Sequence, residues 1–225
     1  MKRLIALLTA MLWVMGSAAA EDRVLTLNLA ATAGTPHHES LRRVAVAACA
    51  AVGVECRLVT LPLPRAVDAM LHGSIDGEVG RIREFGEQPE TRGVYLLVDV
   101  PFLPVGTRVM NRIEEAPVSQ WSELDGKKVG YLRGTLYYKK RLSELAPNAG
   151  RIEMESSAQC PKMIVNRRID ACLADDWSAL APEIPAEDKD RLRLGDTLEQ
   201  VECYLFLSAR HADLIAAFER ALKAD

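Results

Sequence analysis

Four histidines, no Gly-Lys-Ser/Thr phosphate loop and no surplus of basic residues set the first limits on this 225-residue chain. None of the histidines (His37, His38, His72 and His211) stands in a recognisable catalytic pattern. A Ser-His-Asp or Cys-His nucleophilic site therefore has no support. Adjacent side chains in an extended loop point apart, so His37-His38 are not expected to share a metal ion. The missing phosphate loop argues against a nucleotide, and no other cofactor is called for. Lysine and arginine number 28 against 31 acidic residues, the wrong balance for a nucleic-acid partner, which demands phosphate neutralisation. Past the first twenty residues no apolar run is long enough to cross a bilayer. Low-complexity tracts and solenoid periods are absent as well.

What is present begins with a targeting segment. Lys2-Arg3 precede an apolar run over residues 4–15, and Gly16-Ser17-Ala18-Ala19-Ala20 supplies the small residues that a signal peptidase needs. Residues 1–20 are expected to be removed as a signal peptide, with an uncleaved anchor as the alternative. No cysteine follows the run, so a lipid anchor is not expected. Cleavage leaves 205 residues from Glu21 with a formal charge of −5, a soluble and exported chain. That length can bury one large core or two small ones.

All five cysteines lie in the exported part, where disulfides are favoured. Cys49 and Cys56, seven apart across a helix end and a turn, can close a loop with ordinary disulfide geometry. Cys160, Cys172 and Cys203 form an odd set. At least one of them is free or paired between chains, unless all three are buried apolar fillers.

One stretch is written twice. Residues 68–81 and 162–175, at a constant offset of 94, each read as a helix end, a polar break and an Ile-Asp pair entering an apolar strand. Ile75-Asp76 corresponds to Ile169-Asp170, and the strands end on opposite charges, Arg81 and Asp175. Two such units predict two lobes. In open α/β sheets ligands bind beyond the carboxyl ends of the strands. A guanidinium facing a carboxylate suits a small zwitterion.

The rest of the chain fills in this pattern. Residues 24–29 form a strand, residues 30–38 a loop, and a helix follows with Leu41, Val44, Ala45, Ala48 and Val52 on one face, ending at Gly53. Residues 54–61 are a strand, Pro64 opens a helix, and residues 75–79 are a third strand. This order predicts a parallel sheet with right-handed crossovers. Strand 94–98 is followed by Pro101-Phe102-Leu103-Pro104, the candidate for the first crossing between lobes, and then by strand 107–113. Strands at 127–132, 151–155 and 169–174, with helices to about 145 and over 158–167, make the second series. Residues 182–190 read as an acidic surface loop, 201–207 as a last strand and 212–222 as an amphipathic helix.

These residues resemble the family 3 extracellular solute-binding proteins, type II periplasmic binding proteins of polar amino-acid transporters. The resemblance is carried by Leu61-Pro62-Leu63-Pro64-Arg65-Ala66 with Gly73-Ser74-Ile75-Asp76-Gly77-Glu78, by Trp121-Ser122-Glu123-Leu124-Asp125-Gly126 with Arg133-Gly134-Thr135, and by Ile169 to Asp175. It implies an α/β fold of two lobes, each a mainly parallel sheet flanked by helices, joined by two crossovers. Lobe 1 would comprise residues 21–104 and 199–225, and lobe 2 residues 105–198. It also implies a Cys49–Cys56 disulfide, a small polar ligand such as an amino acid or related carboxylate, a periplasmic monomer, and an inner-membrane ABC permease as partner. No enzyme activity is expected. Two departures stand out: residues 30–36 lack the usual stacking aromatic, and Gly80-Arg81-Ile82-Arg83-Glu84 replaces the threonine-rich carboxylate grip.

The ligand-site candidates follow. Arg81, or Arg92 in its place, offers a fork for a carboxylate; the alternative for Arg81 is a structural ion pair with Glu78 or Glu84. Asp175 would hold an ammonium. Arg133, Gly134 and Thr135 put unpaired N–H groups at a helix start, suited to an anion or simply to capping by Thr135. Tyr131, Tyr137 and Tyr138 are candidates for the missing aromatic. Two rival functions remain: an enzyme on the same fold using Glu78, Asp175 or Asp176 as acid or base, and a ligand-sensing partner of a membrane receptor.

Overall fold

The structure, a computed structural model, describes residues 23–175, 184 and 186–224. The expected signal peptide and Asp176 lie outside the described residues, as does part of the acidic stretch at 182–190.

The first strand, β1 (Val24–Leu29), has an almost wholly buried second half. Helix α1 (Pro36–Val52) begins earlier than the expected loop through residue 38 allows. Thr35 is its N-cap, accepting a hydrogen bond from the His38 N–H at 3.2 Å, and Pro36 takes the first helical position, where its missing N–H costs nothing. His37 and His38 are therefore helical residues. Strand β2 (Glu55–Val59), helix α2 (Leu63–Leu71) and strand β3 (Gly77–Arg81) complete the first unit. The second unit is strand β5 (Lys128–Leu132), helix α3 (Leu136–Leu145), strand β6 (Gly150–Met154), helix α4 (Gln159–Val165) and strand β7 (Ala171–Asp175). Between and after the units run two long strands, β4 (Tyr95–Arg112) and β8 (Leu192–Ser208). Residues 186–189 of the expected acidic loop form a single turn, α5 (Ala186–Lys189), and α6 (Ile215–Lys223) closes the chain.

The strand order is β2-β1-β3-β8-β4-β7-β5-β6. On either side of the β8-β4 pair sits a parallel triplet, β2-β1-β3 and β6-β5-β7. The triplets are arranged alike, as the repeat predicts. The crossovers themselves pair antiparallel from Tyr95–Ser208 to Arg112–Leu192, so one ladder runs through both halves instead of two separate sheets. Pro101 to Pro104 do not break β4 as expected. Pro101 lies where the register slips between Val98 and Leu103, a bulge being where a strand tolerates a residue without an N–H, and Pro104 comes just after the slip, opposite Glu202.

Each half buries apolar side chains on both faces of the sheet, as helices on both faces require. In the first half Leu41, Ala45, Phe218 and Leu222 of α1 and α6 cover one face. Ala66 and Met70 of α2, with Phe85 and Phe206, cover the other. In the second half Tyr138 and Leu142 of α3 pack with Trp121 and Leu124 on one side, and Ile164 of α4 packs with Ile169 and Met110 on the other.

The doubled Ile-Asp pair has the same role in both copies. Asp76 donates its N–H to the Thr26 carbonyl at 2.7 Å while its Oδ2 accepts from the Thr26 N–H at 2.9 Å. Asp170 does the same to Lys128, at 2.8 Å in each direction. Each aspartate thus clamps the central strand of its triplet, with the preceding isoleucine buried. Arg210 pairs with the Asp76 carboxylate at 3.0 Å and His211 Nε2 lies in hydrogen-bond contact with it at 2.8 Å, and Arg112 lies 3.6 Å from Asp170. Asp76→Ala and Asp170→Ala should each lower unfolding stability by about 1.5–3 kcal/mol, the usual worth of a hydrogen bond to a charged group. Their effects should sum in the double variant, because the clamps share no partner. Urea denaturation of the three variants measures both expectations.

Cys49 and Cys56 are disulfide-bonded, tying α1 to β2 with Cα atoms 6.1 Å apart. A second disulfide joins Cys160 of α4 to Cys172 of β7 (Cα–Cα 6.0 Å), and Cys203 is free and buried. The odd set is therefore one pair and one thiol, not three apolar fillers.

Candidate functional site

The carboxyl ends of β1, β3, β5 and β7 open onto one cleft. This follows from the parallel triplets, whose strands all finish on the same edge. The first half contributes Ala31 and Thr32 after β1, His37 from the start of α1, Arg81 at the end of β3 and Phe85 after it. From the second half come Gly134 and Thr135 before α3, Tyr137 and Tyr138 on it, and Asp175 at the end of β7. The crossing strands supply the floor, with Val105, Thr107, Val201 and Cys203. Most of this lining is apolar or uncharged.

Arg81 and Asp175, the matching strand ends of the repeat, both line the cleft, one from each half. Arg81 is nonetheless almost fully buried, and its Nε donates to Glu78 Oε2 at 2.7 Å. The ion pair with Glu78 is thus present. The guanidinium carbon of Arg81 lies over the Phe85 ring, 4.4 Å from its centroid. Asp175 is half-buried, and its charge acts on His37 across the cleft. Burial lowers the His37 pKa and favours the neutral ring, while Asp175 pulls it the other way. His37 is the cleft residue that sequence reasoning missed as a lining group. The signal was Thr35-Pro36, a cap followed by a first-turn proline.

Gly134 and Thr135 both line the cleft. Gly134 has φ 84°, and a Cβ there would stand 2.8 Å from the Leu63 Cβ of the opposite half. Only glycine gives both that backbone and that approach. Thr135 makes no side-chain cap, so its expected capping bond is not formed. Arg133 and Arg92 are not brought to the cleft. Arg133 is exposed and pairs with Glu155 and, at 3.5 Å, with Glu153. Arg92 is exposed and donates to the Glu87 carbonyl at 2.8 Å. Arg133 finds its anions at the end of the neighbouring β6 and Arg92 a carbonyl of its own loop, neither of which sequence spacing revealed. Of the three tyrosines, Tyr137 and Tyr138 line the cleft, and Tyr131 is buried in the second-half core.

Burial pushes the Cys203 thiol up to about 12, with the Asp175 and Glu202 carboxylates adding to the effect. A thiol so held stays neutral and is no nucleophile. Glu78, one of the carboxylates in the enzyme alternative, is wholly buried and accepts three hydrogen bonds, from Asn28, Arg81 and Tyr95. Among the described residues no group of three metal-ligating side chains occurs.

No protein-family model matches the sequence. A curated protein of Shewanella oneidensis, described as uncharacterized, is 24% identical over 179 residues, 78% of this chain and 67% of that one. Among solved structures, an ancestral arginine-binding protein bound to glutamine superposes with a TM-score of 0.71 at 17% identity, over 89% of this chain and 91% of the other. The chain has the two-lobed periplasmic-binding-protein fold. The substrate-binding protein of an amino acid ABC transporter has the same fold, with a TM-score of 0.67 at 16% identity over 89% of this chain and 92% of that one. The strand-end cleft lies between the two parallel triplets.

Proposed function

We propose that this chain is a periplasmic solute-binding protein whose lobes, residues 21–104 with 199–225 and residues 105–198, close on a small polar ligand. The observation that carries this reading is that Arg81 and Asp175, equivalent ends of the repeated strand, line one cleft from opposite sides. Lobes joined only by β4 and β8 can swing about those strands, and a ligand touching both favours the closed arrangement. Asp175 suits a ligand ammonium, with uncharged groups turned to the rim at Thr135 and to the tyrosines of α3. The neighbours' names place amino acids and related compounds, carboxylates included, first among the ligands to test. The monomer would then pass its ligand to an inner-membrane ABC permease. Glu78, wholly buried and held by three hydrogen bonds, is poorly placed for acid–base work, so the enzyme alternative would rest on Asp175 or Asp176.

A thermal-shift screen with amino acids, their amides, amines and small carboxylates tests the proposal. A true ligand at 100 times its dissociation constant should add about 2.7 kcal/mol of stability. Ala31→Trp, which fills the cleft from the first lobe, should abolish the shift. A screen in which no compound moves the melting temperature would sink the reading.

A further inference from the structure

Glu78 and Arg81 are three residues apart on one strand, a spacing that in regular β structure points side chains to opposite faces. A bulge brings them together. The register of β3 against β8 slips between Val79 and Arg81, and Gly80 between them has φ 98°. A Cβ on Gly80 would also stand 2.5 Å from Leu41 Cδ1, so neither the backbone nor the space admits another residue. The bulge turns Arg81 onto the side of Glu78, which lies wholly buried next to it.

Glu78 is held from three directions. Its Oε2 accepts from Arg81 Nε at 2.7 Å and from Asn28 Nδ2 at 3.3 Å, and its Oε1 accepts from the Tyr95 hydroxyl at 3.3 Å. Burial, with the Glu78 charge, raises the Tyr95 pKa and keeps that phenol a donor. The Nη2 of Arg81 donates to the Leu63 carbonyl at 3.3 Å. The side-on Nε–Nη2 edge, one of the two edges with which a guanidinium can fork onto a carboxylate, is therefore already occupied. Arg81 is also the one lysine or arginine among the described residues that line the cleft.

We propose that Glu78 is the specificity-determining residue of this cleft: by neutralising Arg81 from beneath, it makes the site take solutes with an uncharged acceptor, a carboxamide, carbonyl or hydroxyl, in preference to those with a carboxylate there. The inference rests on the solute-binding reading and names its ligand class. A ligand carboxylate at Arg81 would set two carboxylates on one buried guanidinium, and like charges with little water between them repel strongly. It would also surrender its hydration without gaining a free counter-charge. A carboxamide offers the same acceptor oxygen to the remaining Arg81 N–H groups and brings no charge.

The test uses pairs that differ only at this group: arginine with argininamide and glutamine with glutaminamide, titrated calorimetrically into the mature protein. In the unmodified protein the amide of a binding pair should be tighter by about tenfold or more, the scale of one hydrogen bond to a charged group. In Glu78→Gln the released Arg81 charge should tighten the acid by about tenfold or more and reverse the order. An acid that binds as well as or better than its amide in the unmodified protein overturns the inference. So does an unchanged acid-to-amide ratio in folded Glu78→Gln. If that variant does not fold, Glu78→Gln with Arg81→Gln removes both charges together. The amide preference should then persist, and its loss counts against Glu78. Absence of binding by every member of the wider screen overturns the solute-binding reading itself, an outcome distinct from one in which acids win.

Discussion

Replacing Glu78 by alanine should cost the protein about 3–5 kcal/mol of stability, the largest loss expected of any charged residue here. The reason is the arginine left behind. Arg81 has only 7% of its surface exposed, and removing one partner of a buried ion pair strands the other charge in a poor solvent. Tyr95 and Asn28 would lose an acceptor at the same time. Replacing both charges with Glu78→Met and Arg81→Met should recover most of the loss, since exchange of a buried pair for apolar groups is often neutral. Guanidinium denaturation of the two variants checks this. Arg92→Ala, which removes an exposed side chain bonded only to a carbonyl of its own loop, should lie within about 0.5 kcal/mol of the parent. A Glu78→Ala protein as stable as the parent would mean that Arg81 finds water or another anion.

The second large effect concerns the disulfides. A seven-residue separation for Cys49–Cys56 and a twelve-residue one for Cys160–Cys172 close short loops. Loop-closure entropy puts them at about 2.5 and 3 kcal/mol. Their joint removal as four serines should therefore cost about 5–6 kcal/mol, much of the stability of an ordinary domain. Melting temperatures of the two paired knockouts and of the quadruple variant measure this. Alkylation of the denatured, unreduced protein should label Cys203 alone. Three labelled thiols would remove the second bridge.

The first bridge was legible in the sequence because helix end, turn and strand fall within seven residues. The second was not: Cys160 and Cys172 meet only once α4 has packed on β7. The repeat at offset 94 was equally legible, and it located both strand ends at the cleft. What it could not show was the aspartate clamp on the neighbouring strand, since Thr26 and Lys128 lie about fifty and forty residues from their partners. Arg81 illustrates the limit best. Its position after a glycine at a strand end placed it at the cleft, and an ion pair with Glu78 or Glu84 stood as the alternative, but that the two roles coincide depends on a bulge, which reverses the face that alternation assigns. Arg133 and Arg92 were misplaced for a related reason. Long flexible side chains settle on whichever acidic or carbonyl group lies near, and a linear spacing does not contain that choice. Pro101 and Pro104 looked like a boundary because proline usually interrupts a ladder, whereas the slip in β4 absorbs Pro101 and the ladder resumes through Pro104.

The path of β8 has a consequence for how the chain acquires its shape. Residues 105–198 are continuous, so the second half has nearly all of its pairings in hand as soon as residue 198 is available. The first half does not. Its core includes Leu205, Leu207, Phe218 and Leu222 from the last stretch of chain, packed on α1 and β1 from the first. A chain emerging amino-terminus first holds β1, α1 and β2 with one side of their core uncovered until the final twenty-odd residues arrive. The part made earliest is therefore completed last, and truncation of α6 would leave the opening segment without the apolar cover on which its folding waits.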